Sequence, residues 1–245
     1  MFKQLRNNIE ISRAKKFAQK SRKLHMAPPV LTMFEYYIED IKTGKKTKPY
    51  KQLTHSFTRN YLNYVCLQAF AQDYNMEIAN GVHGEGTLTM QKTDGNYKSG
   101  NQTMMAWYSN SSSSISHGNL ALNKGNTYSN KAGMQFGTDN TPETLNDFKL
   151  GAVIIGSGNG TTSMSGPVYD STTKEWSQYI SGSFKNIGME NIEIGEFGIY
   201  GWANNGSYNI NESYCLLRDT VDPKIILEPD KMISLSYRFT YLIGG

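Results

Sequence analysis

The chain has 245 residues, a formal net charge of +4, 38% hydrophobic and 12% aromatic residues, and two cysteines. A chain of that length can bury a core without disulfides or metals, and Cys66 and Cys215 are too few and too far apart for a disulfide framework or a structural zinc site. No apolar run reaches the ~20 residues a membrane span needs, and the leading segment has positive charge with no apolar h-region, which argues against a secretory signal and for a protein made and assembled in a cytoplasm.

The charge is unevenly placed. Residues 1–30 hold eight basic side chains (Lys3, Arg6, Arg13, Lys15, Lys16, Lys20, Arg22 and Lys23) against the single acid Glu10. The remainder carries slightly more acids than bases, so the basic character belongs to this arm. Residues 2–24 are predicted as helix: Phe2, Leu5 and Ile9 follow i, i+3, i+7 spacing, and no Pro or Gly interrupts. The apolar stripe is thin, and such a helix needs something to lie against. Pro28-Pro29 ends it and stiffens the exit. The domain reading is therefore a basic helical anchoring arm over 1–30 and a body over 31–245.

Met33 to Ile41 is a predicted strand, Lys42-Thr43-Gly44-Lys45 a turn, and Lys48-Pro49-Tyr50 the returning limb of a hairpin. A packed helix is predicted over 55–74, with Phe57, Tyr61, Tyr64 or Val65, and Gln68 or Ala69 along one face. Beyond residue 75 short apolar runs alternate with Gly, Asn, Ser and Thr clusters. Strands are predicted at 86–91, 103–108, 150–156, 177–185, 190–202, 213–219, 224–228 and 231–243. The last is the clearest, with Ile233, Leu235, Tyr237, Phe239, Tyr241 and Ile243 alternating with mostly polar neighbours, after a Glu228-Pro229-Asp230-Lys231 turn. The segment 92–130, with its serine run at 109–114, is predicted as an exposed loop. Short strands with turns between them point to a mainly β fold, an antiparallel, jelly-roll-like β-sandwich with one packed helix and the N-terminal helical arm.

The constellations that could carry chemistry are sparse. His25, His55, His83 and His117 form no metal-ligand motif, and there is no CxxC. No GxSxG nucleophile elbow occurs. Cys66 and Cys215 sit in apolar elements and read as small buried hydrophobes. Gly156-Ser157-Gly158-Asn159-Gly160 lacks the Lys-Ser/Thr of a phosphate loop and no helix pattern follows, so it reads as a turn. Glu190, Glu193 and Glu196 read as solvent-facing strand positions, with 190 and 196 on one face. No catalytic residue, metal or cofactor is expected.

The body, over most of 34–243, resembles a loosely defined set of bacteriophage virion proteins found near capsid and tail genes. The resemblance rests on a hairpin with a TG turn (Asp40-Ile41-Lys42-Thr43-Gly44), the helix start His55-Ser56-Phe57-Thr58-Arg59-Asn60-Tyr61-Leu62, and the stretch Leu150 to Thr162. It continues through Ile194-Gly195-Glu196-Phe197-Gly198-Ile199-Tyr200, Tyr214-Cys215-Leu216-Leu217-Arg218-Asp219, and Ile225 to Tyr241. It implies a structural, non-enzymatic particle component: a head-attached fibre, a decoration, an anchoring protein or a tail-associated protein, in the virion, assembled in the host cytoplasm. It implies no catalytic residues.

For the arm, docking on a partner is preferred because Phe2, Leu5 and Ile9 give it an apolar edge. The partner-docking residues are then Phe2, Lys3, Leu5, Arg6, Ile9, Arg13, Lys15, Lys16, Lys20, Arg22 and Lys23. The expected partners are other virion proteins, either capsid or portal and tail components, with homo-oligomerisation, most simply as a trimer or other ring, and no membrane. Two alternatives remain: a host-surface glycan-binding tail module using Trp107, Trp176 and Trp202, and nucleic-acid binding through the arm.

Overall fold

The computed structural model describes residues 7–16, 30–54, 57–62, 89–99, 120–121, 133–154, 162–173, 175–203 and 212–242. The predicted strand at 103–108, the Gly156–Gly160 turn, Cys66 and all four histidines lie outside them, as does the packed helix beyond residue 62. The described residues form a mainly β protein of antiparallel sheets with two helices, α1 (7–16) and the single turn α2 (59–62). The chain divides into two compact units interleaved in sequence: Met1–Thr54 with Thr162–Asn191 and Leu227–Gly245, and His55–Thr161 with Ile192–Ile226.

The first unit is built on one sheet of β1 (Val30–Asp40), β2 (Tyr50–Leu53), β7 (Ser163–Met164), β8 (Val168–Asp170), β9 (Glu175–Lys185) and β12 (Lys231–Leu242). β12 lies between β1 and β9; β2 pairs with β1, and β7 and β8 with β9. The alternation expected of β12 is observed: Ile233, Leu235, Tyr237 and Phe239 are buried while their neighbours at 232, 234, 236 and 238 are only partly covered. Each such apolar side chain is worth about 1.5–3 kcal/mol on burial, which fixes the register because a one-residue slip would turn all four outward. Register places Phe34 opposite Tyr237, and Tyr237 opposite Ile180, so one face gathers the core. Phe34 and Tyr237 meet with ring centroids 5.9 Å apart. The other face is polar, with Glu35 paired to Lys51 across the β1–β2 register and the Ser181 and Ser236 hydroxyls 2.8 Å apart.

The predicted hairpin forms. Gly44 takes φ +69°, open to glycine without strain, and its amide donates to Asp40 O at 2.8 Å. The Glu228–Lys231 turn also forms, with Asp230 at φ +59° in the third position.

The second unit holds the pair β3 (Thr89–Gln91) and β4 (Tyr97–Ser99), and a sheet of β5 (Leu120–Ala121), β6 (Gly133–Gly137), β10 (Ile192–Ala203) and β11 (Glu212–Leu227). β10 is central, with β11 on one side and β5 and β6 on the other. Residues 194–201 of β10 are all buried, and its Phe197 meets Phe136 of β6 edge-to-face at 5.6 Å.

Four local expectations are corrected here. The strands predicted at 213–219 and 224–228 are one strand, β11; Pro223 is accommodated because, among the described strands, none pairs with β11 on the side away from β10, and the Asp222–Pro223 bond is cis. The strand predicted at 150–156 reduces, in its described part, to a bridge between Val153 and Gly137. The described part of 92–130 is not all loop: it contributes β4 and β5, and the Thr93 amide donates to Ser213 O at 2.8 Å. Within 57–62 the helix is only the turn α2, because Phe57 bridges to Leu217 and the Thr58 amide donates to Leu216 O at 3.2 Å.

Candidate functional site

The densest polar constellation among the described residues is centred on Arg218 of β11. Its Nε donates to Glu196 on β10 at 2.8 Å, its Nη1 to Asp147 at 2.8 Å, and its Nη2 to Asp139 at 3.2 Å and to the Thr141 carbonyl at 3.1 Å. The side chain is almost fully buried. Burial alone would lower the affinity of the guanidinium for its proton, but the bonds to Asp147 and Glu196 outweigh it and hold the group above its ordinary pKa. Glu196 is wholly buried, which overturns its reading as a solvent-facing position. It lies beside Arg218 once β10 and β11 pair, and its oxygens also accept the Gly151 and Ala152 amides at 3.0 and 2.8 Å. Glu190 and Glu193 are exposed as expected, with Glu190 ahead of the strand rather than on the face of Glu196.

Every oxygen of the three acids has a donor. Asp147 takes the Thr144 amide and hydroxyl at 2.9 and 2.8 Å, and Asp139 takes the Thr141 hydroxyl and amide at 2.8 and 3.1 Å. Those Thr141 bonds, with Arg218, hold the Asp139 carboxyl below its usual range. The three acids are thus held by fixed donors, and the network clamps the 138–152 segment to β10 and β11. The backbone is shaped for it. A Cβ at Gly137 would collide with Glu196, one at Gly151 with Asp139, and one at Gly195 would lie 2.5 Å from Asp139 O.

Beside the clamp, Leu150, Tyr200 and Cys215 form a buried cluster with Val153 against it. The Tyr200 hydroxyl accepts the Leu150 amide at 2.7 Å. Burial pushes both the Tyr200 phenol and the Cys215 thiol far above their ordinary pKa values. Cys215 is thus the small buried hydrophobe the sequence suggested, and not a thiolate nucleophile.

The chain matches no family model, no curated protein and no solved structure. The functional reading therefore rests on what the chain itself presents. No group of His, Cys, Asp or Glu among the described residues is arranged to hold a metal ion, and no helix among them is long and apolar enough to cross a membrane.

The arm residues fall as follows. Ile9, Arg13, Lys15 and Lys16 lie on α1; Phe2, Lys3, Leu5, Arg6, Lys20, Arg22 and Lys23 lie outside the described residues. α1 is latched to its own unit at β2. Asn7 is buried, and its amide donates to the Tyr50 hydroxyl at 2.7 Å and to Lys51 O at 3.4 Å. Tyr50 in turn donates to Gln52 at 3.1 Å and its ring lies 5.0 Å from that of Tyr36. Glu10, Ile11 and Ala14 are partly covered, one helical turn on from Asn7, so they share its face. Ile9, Ser12, Arg13 and Lys16 point away from it, and Ile9 remains 45% exposed. The latch was not legible beforehand, since Asn7 reads as a polar position on a charged helix.

Of the tryptophans, Trp107 and the Trp202 side chain lie outside the described residues. Trp176 is half-buried and meets Tyr169, itself 44% exposed, with centroids 5.4 Å apart.

Proposed function

We propose that this chain is a structural, non-enzymatic component of a bacteriophage virion. Its body is an antiparallel β-sandwich, and the basic helical arm anchors it to a capsid or portal-proximal partner, with the protein acting as a homo-oligomer in the particle. The observation that carries the anchor is the two-sided character of α1. One face is fastened to β2 through Asn7, while the other presents Ile9, Arg13 and Lys16 outward. A helix fixed on one side and basic with an apolar residue on the other suits an acidic groove with an apolar floor. The virion assignment is supported by the order and spacing of the sequence segments that resemble phage particle proteins.

The test is a triple substitution, Ile9→Ser, Arg13→Glu and Lys16→Glu, which leaves Asn7 and its latch in place. The variant is expected to fold and to be lost from particles assembled in the host. Normal occupancy in those particles would overturn the anchor. Deleting residues 1–30 is a harsher form of the same test.

A second reading, recognition of a host-surface glycan, is favoured by the partly exposed Tyr169–Trp176 pair, since sugar rings stack on aromatic faces. It requires hits on a glycan array that Tyr169→Ala and Trp176→Ala abolish; an array without hits at high protein concentration rejects it. Nucleic-acid binding through the arm requires affinity that falls steeply with salt, and flat salt dependence eliminates it.

A further inference from the structure

Three turns meet at one end of the sheet in the first unit: the β1 turn at 41–44, the 186–191 connection after β9, and the 228–231 turn before β12. Backbone bonds knit them together. The Ile41 amide donates to Asp230 O at 2.9 Å, the Asp230 amide to Asn186 O at 3.0 Å, and the Asn186 amide to Lys231 O at 2.9 Å. Two ion pairs, Lys42–Asp230 and Lys231–Asp40, each at 2.6 Å, tie the same turns. The buried Asn186 side chain braces the connection from inside. Its Nδ2 donates to Glu190 O and Leu227 O, both at 2.8 Å, and its Oδ1 accepts the Gly188 amide at 3.0 Å.

This braced end holds out large apolar side chains. Ile187 is 89% exposed and Met189 94%, with Ile41 at 40% from the neighbouring turn. A floppy loop could fold such residues back; a connection held by five hydrogen bonds through one asparagine keeps them outward, and ordering them for a contact then costs little entropy.

We propose that this tip is a self-association surface, on which a second copy of this chain packs its own Ile187 and Met189. The charge around it selects that occupant. Exposed Lys185 and Glu190 flank the apolar pair with opposite signs. Turned over by a two-fold axis, such a rim sets the Lys185 of one copy toward the Glu190 of the other, so the patch is complementary to itself. Lys42 and Lys231 at the same end are already paired to Asp230 and Asp40, and Lys185 is set against Glu190 and Glu228, so the tip offers a phosphate-bearing surface, whether lipid or nucleic acid, no excess of positive charge. Two or three side chains offer far less than the roughly 800 Å² per partner of a stable interface. The contact is therefore weak in free solution and is reinforced wherever copies are already held side by side. It does not rest on the arm, so either reading can fail without the other.

The test uses the full chain. Sedimentation from micromolar to sub-millimolar concentration should show the average mass of the wild type rising, and the Ile187→Ser/Met189→Ser variant should weaken the association by roughly tenfold or more per side chain removed. Both residues are exposed, so the variant's core is untouched, and unchanged circular dichroism checks this. Met189→Cys should cross-link into dimers under mild oxidation faster than the wild type and faster than Thr172→Cys, an exposed turn position on the same unit. Equal masses of wild type and double variant at every concentration would overturn the proposal. So would equally fast cross-linking of Thr172→Cys, or a double variant whose only loss is binding to anionic phospholipid vesicles.

Discussion

Replacing Arg218 by methionine keeps most of the side chain's length and removes its charge. Glu196, wholly buried, would keep two backbone amides but lose the Arg218 cation, and Asp147 and Asp139 would lose it too. Removing one partner of a buried ion pair costs about 3–5 kcal/mol, because the remaining charge stays buried without compensation. The surviving amide bonds to Glu196 place the expected loss toward the lower end, about 3 kcal/mol, and the partial exposure of Asp139 limits its share. Urea unfolding followed by circular dichroism measures it. Replacing Glu196 by glutamine in the same background separates charge from shape: if the uncompensated charge is the cause, the double variant should recover about 1 kcal/mol or more over Arg218→Met alone. A loss below about 1 kcal/mol for Arg218→Met would refute the clamp, since it would mean the 138–152 segment is held by something other than this network.

Gly195→Ala should destabilise by about 2 kcal/mol or more, since its Cβ would press on the backbone oxygens of Thr138 and Asp139 and backbone yields less readily than side chain; the midpoint of urea unfolding measures it. Asn7→Ala and Tyr50→Phe should each release α1 at a cost of about 1 kcal/mol, and should be non-additive when combined; hydrogen exchange of residues 8–16 should rise, and unchanged protection would count against the latch. Asp40 and Asp139 both have folded-state pKa values below the ordinary carboxylate value, Asp40 chiefly through its hydrogen bond from Lys231 and Asp139 through Thr141. Such a contribution is complete above the unfolded carboxylate pKa of about 3.9 and is lost as pH falls through the lower folded value. Stability should thus decline below about pH 4, and Asp40→Asn should flatten that decline; an unaltered acid limb would contradict the assignment.

Much of the first unit was legible in the sequence because its sheet has one covered and one partly open face. In β12 and the β1 hairpin that asymmetry writes itself as alternation, with Gly44 and Pro229 punctuating the turns. β6 shows the opposite case. All five of its residues are buried, so there is no alternation to read, and Gly133 and Gly137 at its ends resemble loop residues. β11 reads as two strands because a proline inside a strand normally ends it, and only its place at the edge of the described sheet makes Pro223 acceptable.

The basic charge of the leading segment and the mainly β class followed from residue order alone, because charge and strand periodicity are properties of consecutive residues; the outward face of α1 with Ile9, Arg13 and Lys16 did not, since the sequence offered Phe2, Leu5 and Ile9 as its edge. The burial of Glu196, the Arg218 clamp and the Asn7 latch did not either. Arg218 finds its acids 22, 71 and 79 positions away, and Asn7 finds Tyr50 43 positions away. Whether a charged or polar side chain sits in water or in the interior depends on which distant strand is laid beside it, and that was decided only when the sheets assembled.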